Sequence, residues 1–215
     1  MTRAEIETPS GPAWADIDHP DGDPVGVLYA GHGAGGGVEA PDVRAARAGA
    51  LAAGFAVARI TQPYRVAGRR APAPAPRLDE AWLAVTGTLS EHFKGLPTVH
   101  CGRSSGARVA CRTATASGAV AVIALAFPVH PPGKPERSRL EELDAVTVPV
   151  LVVQGDRDAF GMPPEAPGRR IVVIPGDTHS LRKDSRAVAA AVTEFLTEVR
   201  APTRPRRRRR DLKVT

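Results

Sequence analysis

The chain has 215 residues, 42% of them hydrophobic, enough for one domain with a core and too few for two comfortable ones. Its net charge of +6 is carried by the end of the chain: residues 201–215 hold six Arg and Lys213 against Asp211, so residues 1–200 sum to zero. The longest nearly apolar run, residues 118–129, is too short to span a bilayer, and two cysteines are no disulfide framework. No apolar segment follows Met1 as a secretory signal requires, so a cytoplasmic protein without a membrane span is expected.

Short apolar runs alternate with helical patterns, the mark of a mostly parallel sheet with helices on both faces. Residues 4–17 predict an irregular edge hairpin. Strands follow at 25–29, 55–60, 98–101, 119–127, 150–153 and 171–174, giving a sheet of about six to seven strands. Several are apolar throughout, as strands buried on both faces are. Gly54 stands where a helix C-cap belongs. Residues 71–77, a Pro-Ala alternation, read as a stiff extended connector. Leu78, Trp82, Val85, Leu89 and Phe93 share one helical stripe. After a Pro-rich turn at 130–135, Ser138 and Glu141 have the spacing of a capping box for a short helix at 140–143. Val188, Val192, Phe195 and Val199 form the last stripe. Residues 1–200 thus read as one α/β domain. Residues 201–215 read as a disordered Arg-rich tail, because Pro202 and Pro205 discourage helix and the successive Arg repel one another.

Gly102-Arg103-Ser104-Ser105-Gly106 matches G-x-S-x-G between a strand and the helix-compatible stretch 106–116. A serine there sits on a sharp strand-to-helix turn. Side chains at the flanking glycines would collide with neighbouring backbone, and the helix N-terminus faces developing negative charge. The glycine run 31–37 follows the strand at 25–29, and its N–H groups can approach a tetrahedral oxyanion. The amides of Ala34 and Ser105 are the expected donors. A phosphate-binding loop is the competing reading, but no G-K-[S/T] follows and the spacing is not G-x-G-x-x-G.

After the strand at 150–153 come two acids, Asp156 and Asp158. Asp158 is preferred because the G-x-x-D spacing lets the chain turn back first; either residue could instead make an ordinary Asx turn. His179 lies in the loop after the strand at 171–174. It would take the serine proton while Asp158 holds its tautomer. The order Ser104, Asp158, His179 is that of α/β-hydrolase triads. His32 is expected to order its loop by hydrogen bonding, and His100 to be a packed neighbour. His19, His92 and His130 have no nameable partner. Cys101 and Cys111 read as small packing residues. Arg103 and Arg108 bracket the elbow; reaching the mouth, they could attract an acidic substrate, but helix-surface Arg is more often solvated.

The segments L-Y-A-G-H-G-A-G, C-G-R-S-S-G-A-R, A-F-P-V-H-P-P-G-K-P, L-V-V-Q-G-D-R-D-A-F-G and G-D-T-H-S, in that order, carry a resemblance. Over residues 25–199 the chain resembles the alpha/beta-hydrolase family shared by a testis-expressed protein and the third subunit of the NSL chromatin complex. More distantly it is similar to dienelactone hydrolases, which use a cysteine nucleophile where this elbow carries Ser104. The resemblance implies the alpha/beta-hydrolase fold and the site positions above. Many relatives insert a helical cap before the acid strand. Here residues 129–148 leave room for one short helix, so a minimal cap and an open site are expected.

These features point to a serine hydrolase of esterase or thioesterase type, acting through an acyl-enzyme on small or exposed esters. The alternative is a non-catalytic binding module that retains the fold. The Arg-rich tail lacks aromatic interleaving and any recognition motif, which leaves it at most a weak contact for polyanions. No metal or organic cofactor is implied, since His and Cys do not occur at ligand spacing.

Overall fold

The computed structural model describes residues 1–200; residues 201–215, where the expected Arg-rich tail falls, lie outside the described residues. Eight strands form one sheet: β1 (Thr2–Ile6), β2 (Ala13–Asp18), β3 (Val27–Gly31), β4 (Ala56–Thr61), β5 (Thr98–Arg103), β6 (Ala121–Leu125), β7 (Val150–Gly155) and β8 (Arg169–Ile174). Their order is β1-β2-β4-β3-β5-β6-β7-β8. The pairs β1–β2 and β2–β4 are antiparallel, and every other pair is parallel. The helices are α1 (Pro41–Ala52), α2 (Pro63–Val66), α3 (Ala75–His92), α4 (Ser105–Ser117), α5 (Leu140–Asp144) and α6 (Ser185–Arg200).

The architecture is the expected α/β one, with more strands than expected. The N-terminal hairpin is not irregular: it pairs residue by residue from Thr2 opposite Ile17 to Ile6 opposite Ala13. Ala13, Ala15 and Ile17 alternate with Trp14, Asp16 and Asp18 along β2 and enter the core beside Tyr29 and Trp82, which fixes the register.

Side-chain alternation in the central strands builds two layers. Leu28 and Ala30 of β3, Ile123 and Leu125 of β6, and Leu151 and Val153 of β7 face α1 and α6. Their neighbours point the other way, Val27 and Tyr29 toward α3, and Val122 and Val152 toward α4 and α5. α1 and α6 cross so closely that a Cβ on Gly49 would lie 2.4 Å from the carbonyl oxygen of Ala189. Thr193 closes that crossing by donating its hydroxyl to Gly49 O at 3.0 Å.

Two local expectations are corrected. The Pro-Ala stretch is not extended throughout, because α3 begins inside it at Ala75. Pro76 occupies the first turn, where a missing N–H costs no helical hydrogen bond. The capping box does not form either. Ser138 Oγ accepts from the Leu140 N–H at 3.2 Å, but the helix starts with Arg139 at its N-cap and Glu141 makes no reciprocal bond. Between β6 and β7 only α5 is helical, so no cap covers the carboxyl ends of the central strands. No helix among the described residues is long and apolar enough to cross a membrane.

Candidate active site

β5 runs into α4 through Ser104, whose backbone sits at φ 53° and ψ −110°. A non-glycine residue there costs on the order of 1–3 kcal/mol, so the surroundings must hold it in place. They do so from both sides. The Ser104 N–H donates to Leu125 O at the end of β6, at 2.9 Å. A Cβ on Gly102 would lie 2.2 Å from the backbone of Gly106, and one on Gly106 would lie 2.7 Å from His32 O. Only glycine lets β5, α4 and the loop after β3 approach this closely. The other described non-glycine residues with positive φ are Ala126, directly after β6, and Leu181, two residues after His179.

His179 Nε2 lies 2.8 Å from Ser104 Oγ, and its Nδ1 lies 2.9 Å from Asp158 Oδ2. With Nδ1–H donated to the carboxylate, Nε2 keeps the lone pair that can take the serine proton. Asp158 is held in turn. Its Oδ2 also accepts from Gln154 Nε2 at 2.8 Å, and its Oδ1 accepts from the Phe160 N–H at 2.8 Å. The Phe160 ring stacks on the imidazole at 4.0 Å. The Asp158 side chain is 1% exposed, whereas that of His179 is 19% exposed at the surface of the cleft. Asp156 does not face His179. It is exposed and accepts from the Gly176 N–H at 2.6 Å, tying the acid-bearing turn to the base-bearing loop.

Ser105 opens α4, so its N–H has no intrahelical acceptor, and neither it nor the Ala34 N–H donates a hydrogen bond among the described residues. The Tyr64 hydroxyl donates to Ala34 O at 3.1 Å and steadies that loop from outside. His32 steadies it from inside: Nδ1 donates to Gly33 O at 2.9 Å and Nε2 accepts from the Gln62 N–H at 3.1 Å. Burial holds the His32 pKa below its ordinary value, in keeping with this neutral tautomer.

Arg103 and Arg108 do not offer charge at the mouth. Arg103 Nε donates to Asp42 at 3.2 Å, and Nη2 donates to the carbonyl of His179 at 3.1 Å. Its guanidinium also runs against Gly33, where a Cβ would come within 2.6 Å of Nη1. One side chain therefore braces the elbow, the histidine loop and the glycine loop together. Arg108 forms a two-pronged pair with Glu142 on α5, and Arg112 bridges Glu142 and Asp79. His100 is buried beneath the elbow and accepts from Trp82 Nε1 at 3.2 Å; desolvation lowers its pKa to about 4. Burial pushes the Cys111 thiol up to about 12 and the Cys101 thiol up as well, so neither is a reactive thiolate at neutral pH. Among the described residues no three His, Cys, Asp or Glu side chains are grouped as a metal site needs.

Sequence reasoning did not find Gln154, Tyr64 or Asp177, nor the bracing role of Arg103. Asp177 alone left a local signal, an Asx turn before the histidine: its Oδ1 accepts from the Thr178 N–H and its Oδ2 from the Lys183 N–H. Tyr64 and Arg103 act across long sequence separations and leave no spacing to read; Gln154 lies only four residues before Asp158, but a lone amide at a strand end carries no motif.

A family profile described as an alpha/beta hydrolase domain matches residues 24–194. A search of curated proteins returns no significant match. Among solved structures, XC6422 from Xanthomonas campestris, an α/β serine hydrolase described as lacking a lid, superposes with a TM-score of 0.74 at 21% identity, covering 95% of this chain and 96% of that one. Est1E from Butyrivibrio proteoclasticus superposes at 0.75 with 19% identity, covering 94% of this chain and 100% of its own. A dienelactone hydrolase from Anabaena variabilis gives 0.68 at 18% identity, with 92% and 94% covered. At these identities the structures speak for the fold, while the profile spans most of the chain. The chain belongs to the alpha/beta hydrolase family.

Proposed function

We propose that the protein is a serine hydrolase of esterase or thioesterase type, with Ser104 as nucleophile, His179 as general base and acid, and Asp158 as the orienting carboxylate. The carrying observation is the continuous hydrogen-bonded chain from Asp158 through His179 to a serine on a strained G-x-S-x-G turn. Ser104 Oγ attacks the carbonyl carbon as His179 Nε2 takes its proton. The amides of Ser105 and Ala34 receive the oxyanion; each such donor is worth about 3 kcal/mol in the transition state. Collapse expels the alcohol or thiol, protonated by His179, and water activated by the same imidazole releases the acid. With no cap between β6 and β7, the cleft suits small esters or esters presented on a larger surface. XC6422, which superposes on this chain, is likewise described as lacking a lid.

A fluorophosphonate probe, together with a screen of short p-nitrophenyl esters and acyl thioesters, tests this. The parent protein is expected to label and to turn over at least one substrate. Ser104→Ala is expected to do neither while melting normally. A parent that stays unlabelled and inert, or a variant with parental turnover, sinks the reading.

A further inference from the structure

Beside the oxyanion loop lies a groove of about 410 Å³, bounded by the β1–β2 turn at Ser10, by Gln62 and Tyr64 around α2, and by Arg69, Arg77 and Leu78. Gln62, Tyr64 and Leu78 also wall a small cavity that reaches Ser105 and Gly106 behind the elbow. Tyr64 is thus shared between the groove and the site, and its hydroxyl holds Ala34.

The groove has two uncommon properties. The first is unmet hydrogen bonding. Ser10 Oγ and Gln62 Oε1 are buried without a partner among the described residues, and Gln62 is only 6% exposed. An unsatisfied buried group costs on the order of 1–3 kcal/mol, and because neither atom has accessible surface, a ligand in the groove would relieve that cost only with a turn of the side chain. The second is charge. Residues 62–77 contain Arg65, Arg69, Arg70 and Arg77 and no acid. The nearest acids along the chain are already engaged, Asp79 by Arg112 and Glu80 by Arg77. Arg65, Arg69 and Arg70 have no carboxylate partner among the described residues, and Arg65 lies near enough to His32 to disfavour its protonation. Arg103 and Arg108, by contrast, are neutralised by Asp42 and Glu142. Arg157, Arg182 and Lys183, on the loops around Asp158 and His179, also lack a carboxylate partner among the described residues; what sets the groove apart is its lining, which holds Arg69, unpaired, and Arg77, shared only with exposed Glu80 at 3.3 Å, and no acid.

We infer that this groove is a subsite for the anionic end of the substrate, so that the preferred esters carry a carboxylate or phosphate held by Arg69 and Arg77 while the ester bond lies at Ser104. This rests on the serine-hydrolase reading above. The anion can sit on either side of the scissile bond, and the substrates separate the two: p-nitrophenyl monoesters of succinate, glutarate and adipate carry it on the acyl side, and 4-acetoxybenzoate carries it on the leaving group. Neutral references are p-nitrophenyl butyrate and methyl 4-acetoxybenzoate.

The expected result at low salt is a kcat/KM at least about tenfold higher for one anionic series than for its neutral reference, as a charge-assisted hydrogen bond implies. The preference is expected to shrink at 0.5 M salt and to fall toward parity in Arg69→Gln/Arg77→Gln. Parity in the parent, or a preference that the double variant keeps, overturns the inference. Binding of glutarate and of inorganic phosphate to the full chain is measured calorimetrically in parallel. The double variant keeps the C-terminal Arg run, so any loss of affinity belongs to the groove. If no ester of either kind is turned over, the serine reading falls and binding alone decides the subsite: affinity lost in the double variant supports it, and equal affinity overturns it.

Discussion

Two glycine-dense segments meet at the proposed active site, 31–37 after β3 and 102–106 after β5, and the structure makes different demands on them. At the elbow both glycines are fixed by backbone contact, with no flexible side chain that could yield. In the loop after β3, a Cβ on Gly35, Gly36 or Gly37 would meet nothing within 4 Å, and none of the three has a positive φ. Gly33 lies between these cases, since its neighbour is the long side chain of Arg103. Equal glycine content in a sequence therefore conceals two situations: a turn where three backbone segments converge, and a loop held by its own His32 and, from α2, by Tyr64.

The two acids after β7 repeat this contrast at one residue type, and they give the largest expected effect. Asp158→Asn is expected to lower kcat by about 10⁴-fold, as loss of the orienting carboxylate does in a serine triad. Asp156→Asn gives up one exposed hydrogen bond to Gly176 and is expected to cost less than about 1 kcal/mol of stability. Steady-state kinetics and melting of both variants check this; a reversed order would move the acid two residues upstream.

Gly102→Ala tests the elbow directly. Its Cβ meets backbone that cannot move without dragging α4, so about 3 kcal/mol of stability and at least about 10²-fold of activity are expected to go. Chemical denaturation together with probe labelling gives both numbers. A variant of parental stability and activity would show that the elbow glycines are as dispensable as those of the loop.

A smaller effect lies behind the elbow. Folded His100 stays neutral down to about 4, while in the unfolded chain it titrates near its ordinary 6.5. Between those values the unfolded state binds more protons, so stability is complete above about pH 6.5 and is lost as pH falls toward 4. The slope is at most about 1.4 kcal/mol per pH unit from this residue. His100→Gln, which keeps an acceptor for Trp82, should flatten it, leaving the share due to buried His32. An unchanged slope would place the acid sensitivity elsewhere.

The smallest effect expected is that of Gly36→Ala, a change in stability under about 0.5 kcal/mol with turnover retained. A large loss would mean that the loop after β3 is as constrained as the elbow, and the contrast between the two segments would vanish.

Much of the fold was legible in the sequence because its signals are local. Apolar runs placed the central strands, most clearly β6 and β7, since a strand buried on both faces must be apolar along its length. The stripe from Leu78 to Phe93 placed α3, since one face of a helix recurs every three to four residues. Ser104, Asp158 and His179 were nominated for a related reason: each lies on a turn directly after a strand, where a parallel sheet presents its loops at one end. Tertiary structure alone decided what those residues touch. The Asp158 carboxylate is fixed by Gln154 and the Phe160 amide, His179 is braced through Arg103, and the loop at Ala34 is held by Tyr64, 30 residues away. The hairpin reads as irregular because β2 carries Asp16 and Asp18, whose charges are paired by Arg3 and Arg47 only once the sheet and α1 are assembled. Likewise Arg103 and Arg108, beside the serine in sequence, are neutralised by Asp42 and Glu142, while Arg69, far from it in sequence, has no carboxylate partner among the described residues. Adjacency along a chain says little about which guanidinium finds a carboxylate, because pairing depends on distances that exist only after helices have packed on the sheet.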